Sequence, residues 1–158
     1  MNWPLPDTAQ NMGGASSFSY IDVNDVIAFT ETDLVNVTAI ILAEGAAFIE
    51  AYSTSNSLKF DSVHQETDQG SIHQNSVKGF YPKPDAEFLQ ILMNSRNARF
   101  IVIIKLNNDQ IRVLGTKTQP LQFSYKESSG QNPGDPSGIE FTFSGSSYHP
   151  PKYYLPII

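Results

Sequence analysis

Apolar positions fall in short bursts along this chain, and the spacing within each burst predicts an element. Phe100-Ile101-Val102-Ile103-Ile104 is continuous and too short for an independent helix, so it predicts a central strand buried on both faces. Asn107-Asn108-Asp109 then predicts a turn into Ile111-Arg112-Val113-Leu114-Gly115, which makes a hairpin. Leu121, Phe123 and Tyr125 alternate with polar residues, as do Ile139, Phe141 and Phe143. Period-two alternation of this kind predicts antiparallel strands with one wet face. Upstream, Val26–Phe29, the β-branched run Val37–Ala43 and Ala46–Tyr52 are strand candidates, with a turn at Glu44-Gly45. The stretch from Leu58 to Tyr81 alternates weakly about Asp68-Gln69-Gly70. It predicts two strands and a tight turn, with Gly70 at positive φ. Both strands are rich in Gln, Ser, His and Asn, so the hairpin either projects into solvent or meets polar neighbours.

A helix is predicted over residues 84–97, with Pro84 in its first turn and Asp85 and Glu87 favouring its positive end. Its apolar face is Phe88, Leu89, Ile91, Leu92 and Met93, expected to pack on a sheet. The fold class that follows is α+β, mainly antiparallel β: a sandwich or partly closed barrel with one flanking helix. The expected organisation is an N-terminal arm over 1–24, a single β-rich domain over 25–147 and an extended tail over 148–158. The loop Ser128–Gly138 holds two prolines and three glycines and is longer than a usual hairpin connection of about 2–5 residues.

Composition narrows the function. One domain is expected from 158 residues. With no cysteine, thiolate metal sites, disulfides and cysteine catalysis are excluded. Net charge is −6, which opposes specific binding to nucleic acid. Charged residues make up 16%, against about 25% in a typical domain, so the polar surface is mostly uncharged and suits packing against copies of itself. The charge is uneven: residues 1–58 carry seven acids and no base, the remainder nine acids and ten bases. No segment approaches the roughly 18 apolar residues of a membrane span, and the first residues lack a secretory signal pattern, so a cytoplasmic origin is expected.

Candidate chemistry is sparse. His64 and His73 fall nearly opposite each other if the hairpin turns where expected, and Glu66 shares the face of His64. Such a set can hold zinc or iron, but no third ligand or outer shell is identifiable, so the residues read as polar groups on an exposed hairpin. No nucleophile elbow, phosphate loop or dinucleotide fingerprint is present. The expectation is a protein that is not an enzyme and takes no metal or other cofactor. Aromatics near the ends, Trp3, Tyr148, Tyr153 and Tyr154, suit either stacking on sugars or anchoring a protein interface. The tail ends Leu155-Pro156-Ile157-Ile158, which predicts that it caps its own core or docks on a partner.

Residues 75–155 carry a resemblance. The stretches are Val77-Lys78-Gly79-Phe80-Tyr81-Pro82-Lys83, a helix, Arg99–Ile104, the hairpin to Ile111–Thr116, Gln119–Tyr125, Gly130, Gly138–Gly145 and a proline–tyrosine end. In this order they resemble small tail-region structural proteins, tail-tube or head–tail-connector-like, of Bacteroidetes-type phages and prophages. The resemblance implies a non-enzymatic virion subunit, made in the bacterial cytoplasm, that assembles with itself into a ring or tube in the tail or neck and with other virion proteins. No membrane is implied. The residues then expected at assembly contacts are Trp3, His64, Asp68, Gly70, Asn132, Asp135, Tyr148, Tyr153, Tyr154, Ile157 and Ile158. The acidic first third, with Asp22, Asp25, Glu31 and Asp33, is suited to facing a DNA passage without holding DNA. The alternative expectation is a carbohydrate- or ligand-binding β-sandwich.

Overall fold

The computed structural model describes residues 3–4, 12–31, 33–54 and 56–155. Its centre is the strand the apolar run predicts, Arg99–Leu106. In chain order the strands are β1 (Ala15–Asp22), β2 (Val26–Glu31), β3 (Asn36–Leu42), β4 (Ile49–Ala51), β5 (Lys59–Thr67), β6 (Gly70–Pro82), β7 (Arg99–Leu106), β8 (Ile111–Leu114), β9 (Leu121–Ser128), β10 (Gly138–Ser147) and β11 (Lys152–Tyr154). One helix, α1 (Ala86–Asn94), lies between β6 and β7. The strands form a single sheet that does not close into a barrel, running β2-β3-β11-β8-β7-β9-β10-β6-β5. All pairings are antiparallel except β11 on β3.

β7 is the branch point. It pairs with β1 along one side, and with β8 and then β9 along the other. Its alternate side chains therefore enter two separate cores. Phe100, Val102 and Ile104 join a cluster with Phe18, Leu58, Val77, Leu114, Leu121, Ile139, Phe141 and Phe143. Ile101 and Ile103 face a second one with Ile21, Val26, Val113, Ile40 and Leu42. Ile101, Val102 and Ile104 are wholly buried. Each such side chain contributes about 1.5–3 kcal/mol relative to exposure, which explains why an uninterrupted apolar run suits this strand.

Three expectations need correction. The first concerns the arm over 1–24, which gives way at Ala15, where β1 begins. The chain there alternates Phe18 and Tyr20 with serines, and Phe18 and Ile21 are buried. Both faces of β7 need covering, and that demand overrides the Gly- and Ser-rich local signal. The second concerns the tail. Lys152–Tyr154 is an internal strand between β3 and β8, with Tyr153 N–H donating to Val35 O (2.7 Å) and Leu155 N–H to Val37 O (2.8 Å). The third concerns the helix, which is shorter than predicted. Asp85 is its N-cap, its carboxylate accepting from the Phe88 N–H at 2.8 Å, so Pro84 lies ahead of the cap and not in the first turn. Of the predicted apolar face only Leu92 is fully buried, while Ile91 and Met93 are about half exposed, at 47% and 49%.

The β5–β6 hairpin forms as expected. The register runs without a break from Lys59 opposite Lys78 to Thr67 opposite Gly70, with Asp68 and Gln69 as the turn. Gly70 has φ +120°, a backbone that a side chain resists, and Thr67 Oγ donates to Gly70 O at 2.7 Å.

Candidate functional site

The hairpin tip is the most solvent-exposed regular element. Every residue from Ser62 to Ser71 is exposed. His64 and His73 are direct cross-strand partners, with ring centroids 5.0 Å apart, and Glu66 Oε1 lies 3.7 Å from His64 Nε2. Burial, then the proximity of His64 and His149, lowers the His73 pKa below 6.5. Among the described residues no three of His, Asp or Glu gather closely enough to hold a metal ion. The cross-strand pairing is as expected, and it supplies two nitrogens and one distant carboxylate.

Below the tip the strands are tied down by polar groups. Ser62 Oγ donates to Asn75 Oδ1 (2.8 Å), Asn75 Nδ2 to Ser147 Oγ (2.9 Å), and Ser147 Oγ to His149 O (2.6 Å). Asn75 and Ser147 are buried, so this chain holds β5, β6 and β10 in register. It borders a cavity of about 210 Å³ of mixed lining, with Phe29, Val37 and Val113 beside Glu31, His149 and Lys152. Lys152 is buried and its ammonium meets Glu31 Oε1 at 2.6 Å.

The remaining expected contacts scatter. Asn132 and Asp135 do come together: the Asp135 carboxylate accepts from the Gln131 and Asn132 N–H groups at 3.0 and 2.8 Å. Those bonds hold its pKa below the usual carboxylate value and give the long loop a fixed turn. The three tyrosines make no single patch. Tyr148 is 68% exposed, Tyr153 carries the Arg112 guanidinium 4.2 Å from its ring centre, and Tyr154 packs on the second core. Trp3 is 83% exposed. Ile157 and Ile158 lie outside the described residues.

Three of the four early acids have structural duties. Asp22 accepts from Asn24 N–H, Asp33 from the Val35 and Asn36 N–H groups, and Glu31 pairs with Lys152.

One feature escaped the sequence reading. A groove of about 230 Å³ opens between α1 and the sheet. Its floor is a set of rings from four strands: Phe18 and Tyr20, Phe100, Phe123, and Phe141 with Phe143. Neighbouring rings sit 4.9–6.4 Å apart, from Phe123–Phe143 to Phe100–Phe123. Tyr81 and Phe88 stack at 3.9 Å, within 5° of parallel, and Tyr52 meets Tyr81 edge-on at 6.0 Å. Gly79, opposite Phe141 in the β6–β10 register, is required here, since a Cβ would run into the Phe141 ring and Ser53 Oγ. The rim carries Ile49 and Tyr52, more than half exposed, with Glu50 and Ser95 as polar groups. Burial raises the Tyr20 pKa.

No family model matches this chain, and no curated protein or solved structure matches it. Among the described residues no helix is long and apolar enough to cross a membrane.

Proposed function

We propose that this chain is a non-enzymatic structural subunit of a phage or prophage virion that self-associates into a ring or tube of the tail or neck. The observation that carries the self-association is the outer edge of β5. It runs nine residues with no break in register, and among the described residues it pairs only with β6. A flat open edge is a template for pairing with another chain. When the surface it meets on the next subunit is a different one, repetition closes a ring or extends a tube. The virion assignment rests on the resemblance over residues 75–155.

The test is the solution mass from micromolar to millimolar concentration, followed by negative-stain electron microscopy of the concentrated sample. Rings or short tubes are expected. A monomer at every concentration would overturn the reading. It would favour a second one, a ligand-binding module, which the aromatic groove supports better than the dispersed terminal tyrosines do.

A further inference from the structure

The groove and the segment ahead of β1 have complementary chemistry. Trp3 is 83% exposed in the single chain, and it is the protein's one tryptophan. It opens the sequence Trp3-Pro4-Leu5-Pro6, a proline-rich pattern with an aromatic anchor. Grooves lined with aromatic rings recognise such segments, because little backbone entropy is lost on docking. A tryptophan anchor adds an apolar area of about 150–250 Å² and needs one acceptor for its indole N–H. Phe18, Phe100, Phe141 and Phe143 are buried beneath the groove, so the ring surfaces open to a ligand are those of Tyr20, Tyr52, Tyr81, Phe88 and Phe123, and Glu50 and Ser95 on the lining supply acceptor oxygens.

Reach allows a neighbour, and the exposure of Trp3 in the single chain places its side chain outside its own groove. Gly13 O and Gly14 O are held by Asn107, through its side-chain Nδ2 at 2.7 Å and its backbone N–H at 3.1 Å. From that anchor, the residues back to Trp3 span roughly 35–40 Å when extended, at about 3.3–3.6 Å each. That exceeds the roughly 30 Å diameter of a small domain.

We infer that the groove between α1 and the sheet receives the Trp3-Pro4-Leu5-Pro6 segment of a neighbouring copy, so that each subunit clasps the next. This rests on the self-association proposed above and assigns it a second contact, apart from the β5 edge.

Because Trp3 is the sole tryptophan, its fluorescence reports docking directly. In the full-length protein its emission is expected to be that of a water-exposed indole when dilute. It should move to shorter wavelength as concentration rises, in step with the solution mass. Two variants make the test decisive. Trp3→Ala keeps the groove and is silent. Ile91→Glu puts a charge on the exposed groove wall and keeps the tryptophan; Ile49→Glu on β4 replaces it should circular dichroism show Ile91→Glu unfolded. Ile91→Glu alone should show no shift, and adding Trp3→Ala should restore it, since the arm of one then enters the groove of the other. A mass that rises with no shift on mixing overturns the clasp and leaves the β5 contact standing. Short-wavelength emission at every dilution would place the arm in its own groove and also overturns it. Constant mass with constant emission overturns both readings. Saturable binding of decanoate to the dilute chain, with Trp3 emission unchanged on concentrating, would give the groove to an apolar small molecule instead.

Discussion

Two edge strands of the sheet, β2 and β5, are built in opposite ways; a third and shorter edge, β4, pairs only with β1 among the described residues. β2 is six residues long, and its register with β3 shifts twice, between Val26 and Ala28 and between Thr30 and Glu31. Such irregularities twist an edge away from would-be partners. Its last residue, Glu31, is also bound to Lys152 of the internal strand β11. β5 has no irregularity over nine residues and faces solvent beyond Asp61. On the self-association proposed above, the irregular edge is the one from which pairing is kept away and the regular edge is the one that would carry it.

The contrast can be broken at the root of the β5 edge first. Leu58 is buried in the first core just before β5. Leu58→Ala should cost about 3 kcal/mol, read as a lower urea midpoint, because the rigid surroundings leave a cavity. The β2 edge should respond to Glu31→Ala with a loss of about 2 kcal/mol. That change strands the buried Lys152 ammonium without its carboxylate, and the figure is below that for a fully buried pair because Glu31 is 39% exposed. If thermal or urea melts show no change, the β2 edge is not pinned by this pair.

Val63 tests the open edge itself. It is 53% exposed on β5, so Val63→Lys should leave monomer stability within about 0.5 kcal/mol. Self-association measured by sedimentation should weaken by at least about tenfold, since a lysine on the edge disfavours strand pairing. An unchanged association constant would remove β5 from the contact.

The smallest effect is a pH difference between the two edges. His64 and His73 sit on β5 and β6, whereas β2 and β3 themselves carry no histidine. His73 faces His64 across the hairpin, with Glu66 beside His64 and His149 near its base. Its folded pKa lies below 6.5, so in that range the unfolded chain binds more protons and stability rises with pH. The stabilisation is present above 6.5 and is lost as pH falls towards the folded value. Amide protection in β5 and β6, corrected for the intrinsic pH dependence of exchange, should fall over that window while protection in β2 and β3 holds steady, and His73→Gln should abolish the difference.

Much of this architecture was legible in local patterns. The β7–β8 and β9–β10 pairs, the β5–β6 hairpin and the opposition of His64 to His73 follow from alternation, continuous apolar runs and turn residues close in sequence. β1 was not legible, because Gly13-Gly14 and the serines around Phe18 carry a loop signal. The aromatic groove was not legible either. Its rings come from β1, β7, β9, β10 and α1, segments far apart in the chain, and an aromatic residue looks the same to a periodicity count whether it fills a core or floors a groove.

The sequence by itself determined most of the strands, β1 and β11 excepted, where the helix begins to be favoured, and that the chain is weakly charged and free of thiol chemistry. Those properties depend on neighbours within a few residues, where backbone sterics and side-chain alternation act. Only the tertiary structure decided that β11 enters the middle of the sheet, that β7 divides two cores, that β5 keeps an open edge and that a groove remains beneath α1. Each of these depends on which distant segments cover which apolar face, and that competition is settled by packing the whole chain at once.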